Sequence, residues 1–329
     1  MLFYNSPSTD PYYNLALEEY LFEHRDLSQG LFMLWQNHNT LVIGKYQNTA
    51  EEINADFVKA QNTSVVRRNT GGGAVYHDMG NVNFTCMQTS DNTAGIDFRT
   101  FMEPVINALR GMGLPAEFNS RNDMTIDGKK FSGNSQMIRG NRVLHHGTLL
   151  FSANLEFVGK ALRPREDKYT SKGIQSVRSR VTNLVDYMDE PISLEEFKQR
   201  LIREFFTGRE MQMIQLTEEE EQAVLELRGK KYITWEWNYG KSPAFTVTKT
   251  RRFEGGTLDI YIETEKESVI RSITFRGDFF GGGDISDLEK ALAGRHLEKG
   301  ELMKALAMLP VSRYIFGMTA EMLTEAIVS

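Results

Sequence analysis

A chain of 329 residues, 40% hydrophobic and 25% charged, has the make-up of a folded globular protein and the length for two domains. A net charge of -6 argues against a polyanion binder, and one cysteine, Cys86, excludes an intramolecular disulfide and suits a reducing compartment. The first residues, MLFYNSPSTDPYYN, lack the basic and apolar segments of a secretory signal, and no apolar run approaches the ~20 residues that span a bilayer. A cytoplasmic protein with neither nucleic acid nor membrane as partner is therefore expected.

Asp10-Pro11 predicts a helix start, since Asp accepts from exposed N–H groups and Pro suits the first helical position. Tyr13, Ala16, Leu17, Tyr20 and Leu21 then recur at helical spacing and predict a buried stripe. Leu31–Gln36 and Thr40–Gly44 read as strands around the turn residues Asn37-His38-Asn39, and Ser64–Arg67 as a strand running into Gly71-Gly72-Gly73. Asn81–Met87 reads as a strand. Phe101, Val105, Ile106 and Leu109 predict a helix over Phe98–Arg110, with Pro104 near its first turn. Asp127-Gly128 and Gly140-Asn141 are two-residue hairpin turns, so this region is a β-meander carrying Lys130. Capping boxes predict helices from Ser193 (with Glu196) to about Phe206, from Thr217 (with Glu220) to about Gly229, and from Ser286 (with Glu289). The aromatic, turn-rich Trp235–Phe245 marks the exit from a first domain spanning 1–245. Strands over Thr257–Thr264 and Ser268–Phe275, a glycine turn at Gly281–Gly283 and two helices then predict a small α/β unit over 246–329.

Arg67–Asp78 (RRNTGGGAVYHD) holds the densest chemistry. Three glycines let backbone approach a ligand, inward N–H groups of such a turn bind anions, and Arg67 and Arg68 grip phosphate or carboxylate. By residue chemistry alone, a hairpin loop with solvated arginines accounts for it equally well. No GxxxxGK[ST] occurs, and no GxGxxG follows a strand, so neither standard nucleotide loop is present. In Arg121–Ser135, Lys129 and Lys130 alternate faces and only one can point inward, opposite Phe131; two solvated lysines are the commoner outcome for such a pair. Asn122-Asp123 offers oxygen ligands of the kind Mg²⁺ takes beside substrate phosphates. His145-His146 has no zinc spacing around it, and Cys86 reads as a small buried apolar residue.

Taken in order, NLALEEYLF, LVIGKYQN, RRNTGGGAVYHDMGNVNFT, RNDMTIDGKKFSGNSQ, HHGTLLF, SKGIQSVRSRVTNL, WEWNYGKSPAF and GDFFGGGDISDLE resemble the lipoate–protein ligases over nearly the whole chain. The resemblance implies an α+β catalytic domain of the biotin/lipoate ligase type, a mixed, mostly antiparallel sheet flanked by helices, followed by a small α/β C-terminal domain. It implies a two-step reaction: lipoate and ATP give lipoyl-AMP and pyrophosphate, and a lysine of an apo lipoyl domain then takes the lipoyl group. The acceptors implied are 2-oxoacid dehydrogenase complexes and the glycine cleavage H protein, with ATP and Mg²⁺ as co-substrate and metal, no permanently bound cofactor, and a monomeric enzyme. By position, the essential lysine falls on Lys130, before the Phe-Ser-Gly step. Arg68, Gly73, Ala74, Val75, Tyr76, Lys130, Lys172 and Arg178 are the expected adenylate contacts, Lys172–Arg180 being a closing loop. Leu17, Arg67, Gly71, Gly72, His77, Lys130, His146 and Gly147 are the expected lipoate contacts, and Asp123 stands near Mg²⁺. Two alternatives stay open: acyl transfer between carrier proteins through a thiol, and a non-catalytic binder of lipoate or a nucleotide.

Overall fold

The computed structural model describes residues 1–90, 97–119, 122–162, 180–240, 247–265 and 269–328. Its contacts divide into two compact units: Met1–Val42, Glu51–Arg67 and Val75–Asn238 form the first, and Ile43–Ala50, Arg68–Ala74 and Tyr239–Ser329 the second.

Fourteen strands are described: β1 Leu2–Asn5, β2 Leu31–Trp35, β3 Thr40–Ile43, β4 Ser64–Arg67, β5 Val75–His77, β6 Asn81–Thr89, β7 Glu117–Asn119, β8 Asp123–Ile126, β9 Lys129–Arg139, β10 Arg142–Leu150, β11 Gln212–Met213, β12 Val247–Phe253, β13 Gly256–Thr264 and β14 Ile270–Gly277. In the first unit an eight-stranded sheet has the order β11-β1-β2-β6-β10-β9-β8-β7. Its pairs are antiparallel except β1, which runs parallel to both β2 and β11. The order β4-β3-β5 makes a smaller sheet. The expected mixed, mostly antiparallel architecture is what the chain adopts.

Both faces of the large sheet are covered, which is why β2 (LFMLW) is buried at every position. Phe32 and Leu34 join a core with Phe84, Phe131, the helix Phe98–Gly111 and the helix Leu194–Phe205. Leu31, Met33 and Trp35 face the other way, into a core with the first helix, Pro11–His24. That helix begins as read: Asp10 accepts from the Tyr12 N–H at 2.9 Å and Pro11 takes the first position. Tyr13, Ala16, Leu17 and Leu21 are buried, while Tyr20 is half-buried against His24. The same face also buries Asn14 and Glu18.

Local signals fared unevenly. The Asp127-Gly128 turn has positive φ at both residues (50° and 71°), the condition of a two-residue hairpin, and Gly140 also lies at positive φ. Thr217 and Glu220 make the full reciprocal capping box. Ser193 caps the Glu196 N–H, but the Glu196 carboxylate turns to Arg200 at 2.5 Å. Two readings are corrected. Pro104 stands midway in its helix, which Asp97 caps at Arg99, so the missing N–H falls beyond the first turn. No side chain caps Ser286–Leu292 as a capping box. The Asp284 carboxylate accepts from the Ser286 N–H at 3.0 Å, and the Glu289 carboxylate instead takes the Phe275 N–H at 3.0 Å.

In the second unit β12, β13 and β14 form an antiparallel sheet. Ile260, Ile262, Ile273 and Phe275 pack there against Leu288, Leu302, Leu306, Leu323 and Ile327 of the C-terminal helices. Tyr46 belongs to this core, its ring stacked on Phe279 with centroids 4.6 Å apart.

Phe32 is fully buried and stacks on Phe205 with centroids 3.8 Å apart, beside Phe3, Phe84 and Phe206. Phe32→Ala is expected to lower the unfolding free energy by about 3–5 kcal/mol, read from denaturant titration. A loss below about 1 kcal/mol would mean that the site closes over the deleted ring.

Candidate active site

Lys130 owes its direction to a β-bulge. On β8 and β9, Asp123 pairs with Gly133 and Met124 with Ser132, but Thr125 pairs with Lys130, leaving Phe131 as the extra residue. Phe131 and Ser132 both turn to the core under the helix Phe98–Gly111: the ring is buried there, and the Ser132 hydroxyl accepts from Asn134. The insertion flips Lys130 onto the opposite face, with Gly133. A Cβ on Gly133 would lie 3.1 Å from Nζ, so glycine leaves the lysine room to lie flat over the strand. Lys129 stays exposed. The bulge therefore separates two lysines that sequence spacing could not.

Asp123 pairs with this ammonium at 2.7 Å, and the Lys130 side chain keeps 39% of its surface exposed. Its backbone is clamped as well: the Lys130 N–H donates to the Arg180 carbonyl at 2.7 Å and the Thr182 N–H to the Lys130 carbonyl at 2.9 Å. Lys172 and Arg178 lie outside the described residues.

The face that carries Lys130 is polar. His146 pairs with Thr85 across β10 and β6, and Thr148 pairs with Asn83. The Trp35 indole donates to the Thr85 hydroxyl at 2.9 Å, Thr85 to the Glu18 carboxylate at 2.6 Å, and His146 Nδ1 meets both Glu18 oxygens at 2.9 and 3.1 Å. Glu18 is 2% exposed, and these donors compensate its burial. Trp35, Thr85 and Glu18 were not singled out from the sequence. Their signal was a carboxylate inside the inward stripe of the first helix. Leu17 is fully buried in the neighbouring apolar cluster with Met33, Met87, Met137 and Leu144. His77 lies against Trp35, ring centroids 6.0 Å apart, with Nδ1 3.2 Å from the Asn37 amide nitrogen.

Strand alternation breaks up other expected groupings. Gly147 does not share the His146 face; a Cβ there would collide with Asn134 Oδ1 and the Phe84 ring on the opposite layer. Tyr76 turns away from its neighbours Val75 and His77, stacking on Phe157 with centroids 4.2 Å apart. Burial, then the nearby Asp78 charge, pushes its hydroxyl up to about 12. Arg67 is anchored by donation to the carbonyls of Trp237 at 2.9 Å and Asn238 at 3.2 Å, while the Asn238 side chain accepts the Arg67 N–H at 2.9 Å. Cys86 is buried in the aromatic core, and burial pushes its thiol up to about 12, a poor nucleophile.

In the second unit the glycine loop is built around Arg68. Its guanidinium donates to the carbonyls of Gly71 at 2.6 Å and Gly73 at 2.8 Å and to the Thr70 hydroxyl at 3.0 Å. The Gly72 N–H donates to the Phe279 carbonyl at 3.3 Å, with Gly72 at φ 87°. A Cβ on Gly71 would run into the Phe279 backbone. The anion cradle read from the three glycines is thus corrected in part: two carbonyls turn inward to the arginine and one amide is committed to Phe279. Gly73 is exposed and Ala74 half-buried.

No group of three or more His, Cys, Asp or Glu side chains gathers as a metal site among the described residues. Asp123 is a single carboxylate held by Lys130, so it suits a cation carried in on phosphates and not a resident metal. No described helix is long and apolar enough to cross a membrane.

The family model described as the lipoyl protein ligase A/B catalytic domain matches residues 10–206, and that of the bacterial lipoate protein ligase C-terminus matches 242–327. The chain belongs to the lipoate–protein ligases. It is 39% identical to lipoate-protein ligase LplJ of Bacillus subtilis, covering 98% of each chain, and 38% identical to a lipoate–protein ligase of Streptococcus pyogenes, covering 98% of this chain and 96% of the other. Among solved structures it resembles P. falciparum LipL1 in complex with lipoate (TM-score 0.79, 26% identity, 94% of each chain). It also resembles lipoate-protein ligase A bound with ATP (TM-score 0.63, 31% identity, 73% of this chain, 98% of the other). A third likeness is to the bipartite ligase of Thermoplasma acidophilum, described with its E2 lipoyl domain (TM-score 0.66, 32% identity, 75% of this chain, 98% of the other).

His145 of this ligase is fully buried, stacked on Phe101 with centroids 5.3 Å apart and bonded to Gln136 at 3.0 Å and Asn134 at 3.3 Å. Burial, then neighbouring His146, pushes it down to about 3. Below the ordinary value of about 6.5 the unfolded chain binds a proton that the folded chain refuses, so stability falls with pH from there toward about 3. His145→Gln is expected to remove this one-proton slope, about 1.4 kcal/mol per pH unit, from denaturation curves between pH 6 and 4. Equal slopes in both proteins would place the acid sensitivity elsewhere.

Proposed function

We propose that this ligase activates lipoate with ATP and transfers the lipoyl group to a lysine of an apo lipoyl domain. The carboxylate of lipoate attacks the α-phosphorus, the bond to pyrophosphate breaks, and lipoyl-AMP forms. The neutral amine of the acceptor lysine then attacks the acyl carbon, gives up a proton, and AMP leaves as an amide forms.

The observation that carries this reading is the bulge-directed Lys130. Its ammonium is held at a defined place by Asp123 at 2.7 Å, yet part of its surface is open to a substrate. There it stabilises negative charge on the acyl oxygen and the α-phosphate as the leaving group departs. Leu17 and the methionines beside it supply an apolar wall of the kind a lipoyl tail requires. Arg68, Gly73–Tyr76, Lys172 and Arg178 are assigned to the adenylate, and Arg67, Gly71, Gly72, His77 and His146 to the acyl end, with Gly147 left out because it faces the opposite layer. Asp123 would meet Mg²⁺ only alongside the phosphates that bring it. The acceptors are lipoyl domains of 2-oxoacid dehydrogenase complexes and the glycine cleavage H protein, the compartment is the cytoplasm, and the working state is a monomer. The division of labour is a catalytic part over 1–245 and an accessory part over 246–329. Thiol-based transfer is disfavoured by the buried, protonated Cys86.

Lys130→Ala is expected to lower lipoate-dependent ATP–pyrophosphate exchange at least about 100-fold with the unfolding curve retained. Normal exchange in that variant would remove Lys130 from the chemistry. Exchange with biotin and none with lipoate or octanoate would overturn the assignment itself.

A further inference from the structure

Asn81 and Asn83 stand two residues apart on β6, on the sheet face of Lys130, and are 0% and 1% exposed. Asn81 Nδ2 donates to Asn83 Oδ1 at 2.9 Å. That bond leaves Asn83 Nδ2 and Asn81 Oδ1 buried with no hydrogen-bond partner among the described residues. Turning both amides over exchanges the roles without removing the problem: one donor and one acceptor are always left. Buried amides in native proteins are nearly always satisfied, so such a pair is expected to meet a group that comes from outside the fold.

Register says which group. Asn83 pairs with Trp35 of β2 on one side and Thr148 of β10 on the other, and the Thr148 hydroxyl accepts the Gly133 N–H at 3.2 Å. Trp35, Asn83, Thr148 and Gly133, the residue that Lys130 overlies, therefore form one row across four strands. At about 4.8 Å per strand, the backbones carrying Asn83 and Gly133 lie roughly 10 Å apart. Thr148 in the middle of the row is only half-buried, so the row opens there. An acid whose carboxylate meets Lys130, and whose tail runs toward Leu17 and Met33, crosses it.

We infer that the Asn83 amide donates a hydrogen bond to the carboxyl oxygen of the acyl substrate, making Asn83 a further substrate-binding residue; this rests on the proposed function. Lys130 supplies charge to that oxygen and Asn83 supplies direction. Asn83 stands in the row with Trp35 and Thr148, whereas Asn81 pairs with Leu150 beyond it, so the contact belongs to the Asn83 end of the pair.

The test is lipoate-dependent ATP–pyrophosphate exchange on the full chain, with melting temperatures measured alongside. Asn83→Leu is expected to raise the KM for lipoate about tenfold, the loss of one hydrogen bond to a charged group, with the KM for ATP within about twofold of the parent. The double variant Asn81→Leu/Asn83→Leu removes both leftover polar groups, so it is expected to melt no lower than the parent while the lipoate KM still rises. Asn83→Asp adds a pH readout: its lipoate KM climbs as pH rises and the two carboxylates repel, whereas Asn83→Leu shows no such trend. An unchanged lipoate KM in the folded double variant, or KM changes shared equally by ATP, would overturn the assignment of Asn83. A parent protein without lipoate-dependent exchange would overturn the function itself, and the two failures are told apart by that control.

Discussion

The two-residue period of the central sheet is the constraint on which the first unit depends. Both faces of the sheet are covered, so the side chains along the middle of β2, β6, β9 and β10 must go to one interior or the other. One interior is aromatic and dry, with Phe32, Phe84, Phe131 and Phe205 at its centre. The other carries Glu18, Asn83, Thr85 and His146 at the back of an apolar cluster. Adjacent histidines show the division: His145 is a neutral ring inside the aromatic core, and His146 is a donor to a buried carboxylate.

Such a sheet is unforgiving, because a shift of one residue exchanges the contents of its two faces. The bulge at Phe131 uses that property locally. Register from Gly133 onward stays in step with β10, and only the residues before the bulge change sides. A long flexible cation is thereby placed over a glycine with a carboxylate beside it, with no break in the strand.

Much of this was legible in the sequence, for physical reasons that can be named. The first helix, β2, the two hairpins and the Thr217 capping box announce themselves through periodicity, turn residues and capping chemistry, all encoded within a few positions. Lys129 and Lys130 could not be separated by spacing, because a bulge is a matter of pairing with another strand. Glu18 was hidden for the same reason: a carboxylate on an apolar stripe looks like a blemish until Thr85 and His146 are brought to it. The Ser286 motif failed because Glu289 had a better partner, the Phe275 N–H, which becomes available only after β14 is in place. Grouping His146 with Gly147 ignored the alternation that the strand imposes.

The glycine loop carries a consequence for the order in which the protein is made. Gly72 donates to the carbonyl of Phe279, and Gly71 approaches that same backbone too closely for any other residue. These partners leave the ribosome long after the loop does. The loop therefore cannot take its observed conformation while the chain is growing, and it waits as an open, entropically costly closure until the C-terminal strands have paired. The loop is thus among the last pieces of the chain to be ordered, after every strand of the large sheet has already been made.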